Sequence, residues 1–167
     1  MTERLLPQAL FDKAQQVVEA NRKLGRRLAV AESCTGGLVC AALTEIPGSS
    51  EVFEAGYITY SNASKIDDLG VSEEVVETFG AVSVATAWAM ARGALASSKA
   101  DVAVAITGIA GPGGGTPTKP VGTVVFARAE RGADPSQIVA DQKIFDEKDR
   151  AAVRLQAALC ALELLMP

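Results

Sequence analysis

At 167 residues, 49% hydrophobic and 22% charged, the chain fits a single globular domain over 1–167 that buries about two-thirds of its unfolded surface. A net charge of −4 and an isoelectric point near 4.9 argue against a nucleic-acid surface, which needs clustered positive charge, and no stretch approaches the ~20 apolar residues that cross a bilayer. Met1 to Pro7 lacks the apolar region of a signal peptide, so the expected location is cytoplasmic.

Behind Pro7, apolar residues at Ala9, Phe11, Ala14, Val17, Val18 and Leu24 recur at helical spacing and predict an amphipathic helix ended by Gly25. Leu28 to Ala31 reads as a short buried strand. Ser33, Thr35, Gly36 and Gly37 then turn the chain into a helix over Leu38 to Leu43, stopped by Pro47 and Gly48. Ala55 to Tyr60 predicts a second strand, ended by a polar elbow at Ser61 and Asn62. Ser72 N-caps a short helix reaching Phe79, with Glu73 and Glu74 in its first turn. Ser83 caps the next helix, whose apolar face is Val84, Ala87, Met90, Ala91, Ala94 and Leu95. Asp101 to Ile106 reads as a central strand, and Thr107 to Pro120, dense in glycine and proline, as a loop. Val121 to Ala127 and Gln137 to Phe145 form an antiparallel hairpin through the turn at Arg131 to Pro135, and a closing helix runs from Asp149 to Leu165. The order α-β-α-β-α-α-β-β-β-α predicts an α/β protein, a mixed sheet covered by helices on both faces.

Four segments can carry chemistry. Ser33 sits at a strand-to-helix turn, where its hydroxyl is presented at the carboxyl edge of a sheet and the glycines behind it let a ligand approach the backbone. The N–H groups opening the next helix can hold an oxyanion or phosphate; that Ser33 or Thr35 only caps this helix stays open. Tyr60 shares a strand face with Ile58, opposite Thr59, and Lys65 falls about one helical turn past the elbow, so it can fold back to the same edge. The glycine-rich stretch from Thr107 to Pro120 suggests a ligand close to the backbone, although it lacks the P-loop order. Arg150 and Arg154 lie four apart on the closing helix and can clamp a phosphate or carboxylate, or pair with Asp146, Glu147 and Asp149 at the surface.

The chain contains no histidine, which excludes Ser–His–Asp and Cys–His catalysis within one chain. A serine nucleophile then needs another base, and a desolvated lysine can supply it, with a tyrosine hydroxyl to orient or pass the proton. Cys34 is the rival nucleophile. Cys34, Cys40 and Cys160 form no CxxC pair and are expected as buried reduced thiols, with no zinc site.

AESCTGG at 31–37, YSNASK at 60–65 with LGV at 69–71, and TGIAGPGGGTPTKPVGTV at 107–124 together resemble the CinA C-terminal domain family, from about residue 8 to the end. That family includes stand-alone bacterial nicotinamide-nucleotide amidohydrolases of the PncC type. The resemblance implies a three-layer αβα sandwich, no metal or other cofactor, and conversion of nicotinamide mononucleotide to nicotinate mononucleotide and ammonia. The family's serine, tyrosine and lysine match Ser33, Tyr60 and Lys65, giving nucleophile, proton relay and base. On this reading backbone N–H groups at Thr35, Gly36 and Gly37 hold the oxyanion, while Asn62, Thr107, Gly108, Gly111, Gly114, Gly115 and Arg150 bind a small-molecule nucleotide. A homo-oligomer, dimer or higher, is expected. Two departures stand out: Val84 occupies a position that is acidic in many relatives, and Phe145 to Arg150 is one residue longer than the relatives' Phe-x-Gly-Asp-Arg and lacks its glycine. The competing class is a non-catalytic nucleotide-binding module, or an accessory subunit of a larger CinA-type partner.

Overall fold

The computed structural model describes residues 4–147 and 149–167; Met1 to Glu3 of the expected start and Lys148 of the 145–150 segment lie outside the described residues. In chain order the elements are α1 (Gln8–Lys23), β1 (Leu28–Glu32), α2 (Leu38–Thr44), a 3₁₀ turn (Ser49–Glu51), β2 (Phe53–Ile58), α3 (Asn62–Leu69), α4 (Glu73–Phe79), α5 (Val84–Ala96), β3 (Val102–Gly108), β4 (Thr123–Glu130), β5 (Ala140–Ile144) and α6 (Arg150–Leu164). The sheet order is β2-β1-β3-β4-β5. β1 runs parallel to both β2 and β3, whereas β4 is antiparallel to β3 and to β5. The predicted mixed sheet and the α/β class are therefore found, and helices cover both faces as three layers.

The period of two in β1 and β3 sorts large from small residues. Leu28, Val30, Val102, Val104 and Ile106 face the layer of α1, α2 and α6, where Leu10, Val17, Leu43, Val153 and Leu162 fill the space. Ala29, Ala31, Ala103 and Ala105 face the other layer, against Ala87, Met90, Ala91 and Ala94 of α5. An alanine face on both partners lets α5 sit close to the sheet. Gly93 carries the same logic outward: a Cβ there would lie 2.0 Å from the carbonyl oxygen of Leu69, so α3 lies directly on α5.

The structure differs from the sequence reading at several borders. β2 ends at Ile58 and leaves Tyr60 beyond the strand; Thr59 N–H still reaches Glu32 C=O at 2.9 Å before Ser61 caps the unpredicted α3 by accepting from Ser64 N–H. Thr107 and Gly108 belong to β3 rather than to the loop, paired with Val125 and Val124. Ser83 caps α5 through Thr86 N–H, as predicted, but the Ser72 side chain makes no capping bond to α4. Val84 is 40% exposed, at the first turn of α5, so it leaves the predicted apolar face. Only Cys34 is buried; Cys40 and Cys160 are partly exposed, and all three are free thiols. Among the described residues no helix is long and apolar enough to cross a membrane.

Candidate active site

β1 is the point where the chain reverses its direction across the sheet: β2 is laid down on one side of it and β3 on the other. Open α/β sheets bind ligands at the carboxyl ends of the strands flanking such a point. Ser33 follows β1 there, and Thr107 and Gly108 end β3 beside it. Ser33 N–H donates to Ile106 C=O at 2.9 Å, which ties the serine to the neighbouring strand.

The turn into α2 is fixed from within. Glu32 is fully buried, and its carboxylate accepts from the N–H groups of Gly37 (3.0 Å), Val39 (3.2 Å) and Cys40 (2.8 Å). A carboxylate on a helix N-terminus satisfies its orphan donors and its dipole together. Gly36 N–H is also engaged, donating to Ser33 C=O at 3.0 Å. The expectation that Gly36 and Gly37 N–H groups hold an oxyanion therefore fails, because both are occupied. Among the described residues, Thr35 N–H has no backbone acceptor, and Cys34 N–H is directed at its own thiol. Gly37 takes φ +98°, and a Cβ there would come within 2.9 Å of Ile58 Cδ1, so glycine is needed to make the turn.

Lys65 comes from α3, four residues before Leu69, which places both on the face turned to the protein. It is 1% exposed. Its Nζ lies 3.0 Å from Ser33 Oγ, 2.7 Å from Thr59 C=O and 3.4 Å from Tyr60 C=O. Among the described residues it has no carboxylate partner. Burial therefore lowers its pKa below the ordinary 10.5, against a weaker opposing influence of Cys34. As a neutral amine it has two hydrogens for the two carbonyls and a lone pair left for the Ser33 hydroxyl. That arrangement can take a proton from a serine.

A cleft of about 290 Å³ opens over this pair. Ser33, Tyr60, Asn62, Lys65, Thr107, Gly108, Gly111, Gly114 and Arg150 line it together with Cys34, Ala81, Val82, Ile109, Ala110 and Gly113. Thr35, Gly36, Gly37 and Gly115 do not. Thr35 is buried behind the turn, and Gly115 packs on Val121, where a Cβ would lie 2.8 Å from its backbone nitrogen. Tyr60 reaches Lys65 with its carbonyl; its hydroxyl accepts from Arg150 Nη2 at 3.0 Å, and its ring is 61% exposed at the rim. Among the described residues the phenol makes no hydrogen bond to Lys65 or Ser33. Arg150 Nη1 also donates to Gly111 C=O at 2.7 Å. Neither Arg150 nor Arg154 pairs with Asp146, Glu147 or Asp149 among the described residues. Arg154 lies off the cleft and donates to the carbonyls of Cys34 (3.2 Å) and Thr35 (3.0 Å).

Sequence reasoning missed Ala81 and Val82. They are held over the cleft because Thr107 Oγ1 donates to Ala81 C=O at 2.9 Å, and Ser83 and Thr86 hydroxyls donate to Gly80 C=O. The signal was Gly80 before the Ser83 cap. Cys34 is the rival nucleophile only by position: burial, with Glu32 adding, pushes its thiol up to about 11, so it stays protonated near neutral pH.

Known proteins share this arrangement of elements. The chain is 48% identical over 153 residues to the nicotinamide-nucleotide amidohydrolase PncC of Pseudomonas putida, covering 92% of each. It is 49% identical over 136 residues to a CinA-like protein of Akkermansia muciniphila, covering 81% of this chain but 32% of that one; it spans about a third of the length of other curated relatives as well. The crystal structure of the competence/damage inducible protein CihA from Agrobacterium tumefaciens superposes with a TM-score of 0.91 at 45% identity, covering 96% of each chain. With the CinA C-terminal domain model matching residues 11–167, the chain belongs to the CinA C-terminal domain family.

Proposed function

We propose that the protein is an amidohydrolase that converts nicotinamide mononucleotide to nicotinate mononucleotide and ammonia. The observation that carries this is the buried 3.0 Å contact between Lys65 Nζ and Ser33 Oγ at the floor of the cleft. It pairs a nucleophile with a base in a chain that has no histidine. The name of the Pseudomonas putida relative, covered over 92% of its length, supplies the substrate.

Ser33 Oγ attacks the carboxamide carbon while neutral Lys65 takes the hydroxyl proton. The carbonyl electron pair moves to oxygen, where backbone N–H groups of the turn stabilise it. The pair returns, the C–N bond breaks, and the Lys65 ammonium gives its proton to the departing nitrogen, which leaves as ammonia. Water then adds to the nicotinoyl ester of Ser33, Lys65 accepting its proton and passing it back to Ser33 Oγ as the acid leaves. Lys65 serves as base and acid in turn, and Tyr60 is not needed for proton transfer. Thr107, Gly108, Gly111, Gly114 and Asn62 shape the wall for the nucleotide, and Arg150 at the rim meets its phosphate.

The test is ammonia release from nicotinamide mononucleotide by purified protein, with nicotinate mononucleotide identified as co-product. Ser33→Ala should lower turnover by at least about 10⁴-fold. Tight binding with no turnover by the unmodified protein would replace the enzyme by a nucleotide sensor.

A further inference from the structure

β5 is an edge of the sheet, and its bonds to β4 show which backbone groups its outer side offers. Phe145 N–H donates to Gly122 C=O at 3.0 Å and Arg128 N–H to Val139 C=O at 2.9 Å, with an unbroken register between them. Bonded residues alternate along an antiparallel pair, so residues 139, 141, 143 and 145 turn their N–H and C=O groups to β4. Ala140, Gln142 and Ile144 turn theirs outward. Edges of this kind are usually blunted by a bulge, a proline or charge. This one has no bulge and no proline, and Ile138, Val139 and Ile144 are 54%, 54% and 52% exposed along it.

The charges on the strand are Asp141 and Lys143, one on each side of Gln142. Both lie on the α6 face beside Phe126, Leu159 and Leu164, and among the described residues neither has an ion-pair partner. A two-fold axis through Gln142 lays a second β5 antiparallel on the first. It sets Asp141 opposite the partner's Lys143, and Lys143 opposite the partner's Asp141. Ala140 then meets the partner's Ile144, and Gln142 the partner's Gln142, so every outward N–H and C=O group finds its complement. The two charge pairs fall in the non-hydrogen-bonded positions, where facing side chains are closest. Val139 comes opposite the partner's Phe145, and Ile144 reaches the partner's Ile138 on the diagonal. A slip of two residues, the next register that keeps the outward groups paired, puts Asp141 on the partner's Asp141 or Lys143 on the partner's Lys143. The charges therefore select one register.

We propose that β5 is a self-association edge: a second copy of this chain adds its own β5 antiparallel, centred on Gln142, and the two sheets continue as one. The contact is isologous, so each copy supplies both halves of the charge pairing. This goes beyond the amidohydrolase reading and does not depend on it, since none of residues 138–144 lines the cleft.

The experiment measures mass against concentration by sedimentation for the unmodified chain, Asp141→Lys and Lys143→Asp. The unmodified chain is expected at twice its 17.3 kDa. Either reversal sets like charges opposite at both pairs and should weaken self-association at least about tenfold. Mixed in equal amounts, the two variants present opposite charges at both pairs and should associate about as tightly as the unmodified chain does. Gln142→Pro serves as a backbone test, and stands in if a reversal fails to fold. It removes an outward N–H and no bond to β4, as proline on an edge strand does, and should leave a monomer. An unmodified chain that stays monomeric at its highest soluble concentration, dimers that survive the reversals or the proline, or no association on mixing would each overturn the proposal. Ammonia release enters none of these readings, so this inference and the amidohydrolase reading fail separately.

Discussion

The floor and the rim of the cleft are built on opposite principles. At the floor, Ser33, Lys65, Thr107 and Glu32 are all at most 8% exposed, and every charge there is either spent on backbone groups or pushed toward neutrality. At the rim, Tyr60 and Arg150 are exposed, and their mutual bond is a surface contact that water competes for. A buried lysine tuned by desolvation suits proton transfer; an exposed arginine keeps its charge for an anion. On the proposed reaction, turnover is set at the floor and affinity at the rim.

After Ser33, the largest effect expected is at Lys65. Lys65→Met should lower kcat about 10²- to 10⁴-fold, the range for a general acid–base, with little change in KM, read by steady-state ammonia release. In the unmodified protein the acid limb of kcat/KM should fall below the ordinary lysine value of 10.5, because burial lowers the folded-state pKa. The unfolded chain holds this proton up to about 10.5 while the folded chain releases it earlier, so folding stability contributed at this site rises with pH through that window and is lost as pH falls. Melting temperatures of the two proteins across that window should diverge in favour of the unmodified one as pH rises.

The rim comes next. Arg150→Gln should raise KM roughly ten- to a hundredfold, as loss of a hydrogen bond to a charged group costs about 1.5–3 kcal/mol, and leave kcat close to its original value. Equal losses in both constants would break the division between floor and rim. Gly93 of α5 supports the floor from behind, through its contact with Leu69 of α3. Gly93→Ala drives a Cβ against the Leu69 carbonyl and should destabilise the fold by about 1–3 kcal/mol, visible as a lowered melting temperature. Because α3 carries Lys65, turnover of the folded fraction should fall as well.

How far the sequence reached follows the same line. β1 and β3 were legible because a parallel strand buried on both faces shows as an apolar run. The Ser33–Lys65 pair was legible only indirectly, through the missing histidine and the family motifs, since 32 residues separate its members. α3 was not read: Asn62 to Leu69 buries only Lys65 and Leu69, too little apolar periodicity to register, although a lysine four residues before a leucine behind a serine cap was the available sign. Tyr60 falls beyond the strand that alternation predicts, because the chain after Ile58 already turns toward the Ser61 cap. Glu32 and Arg154 were beyond reach. Each acts on backbone groups that only the folded turn brings to it, and no spacing rule encodes an arginine on a carbonyl 120 residues away.

The smallest effect expected is at Cys34, and it bears most directly on which atom is the nucleophile. The thiol lies in the cleft beside Ser33, but burial holds its pKa near 11, so at neutral pH only a minute fraction is thiolate. Lys65 faces Ser33 Oγ at 3.0 Å, so the hydroxyl, not the thiol, has a base in contact. Cys34→Ala should then cost about 1 kcal/mol of stability, an ordinary value for a single substitution, with kcat within about twofold of the original. Alanine keeps the backbone of the turn while the thiol is removed. Loss of turnover in this folded variant, with Ser33→Ala still active, would move the covalent step to sulfur and leave Lys65 without its proposed partner.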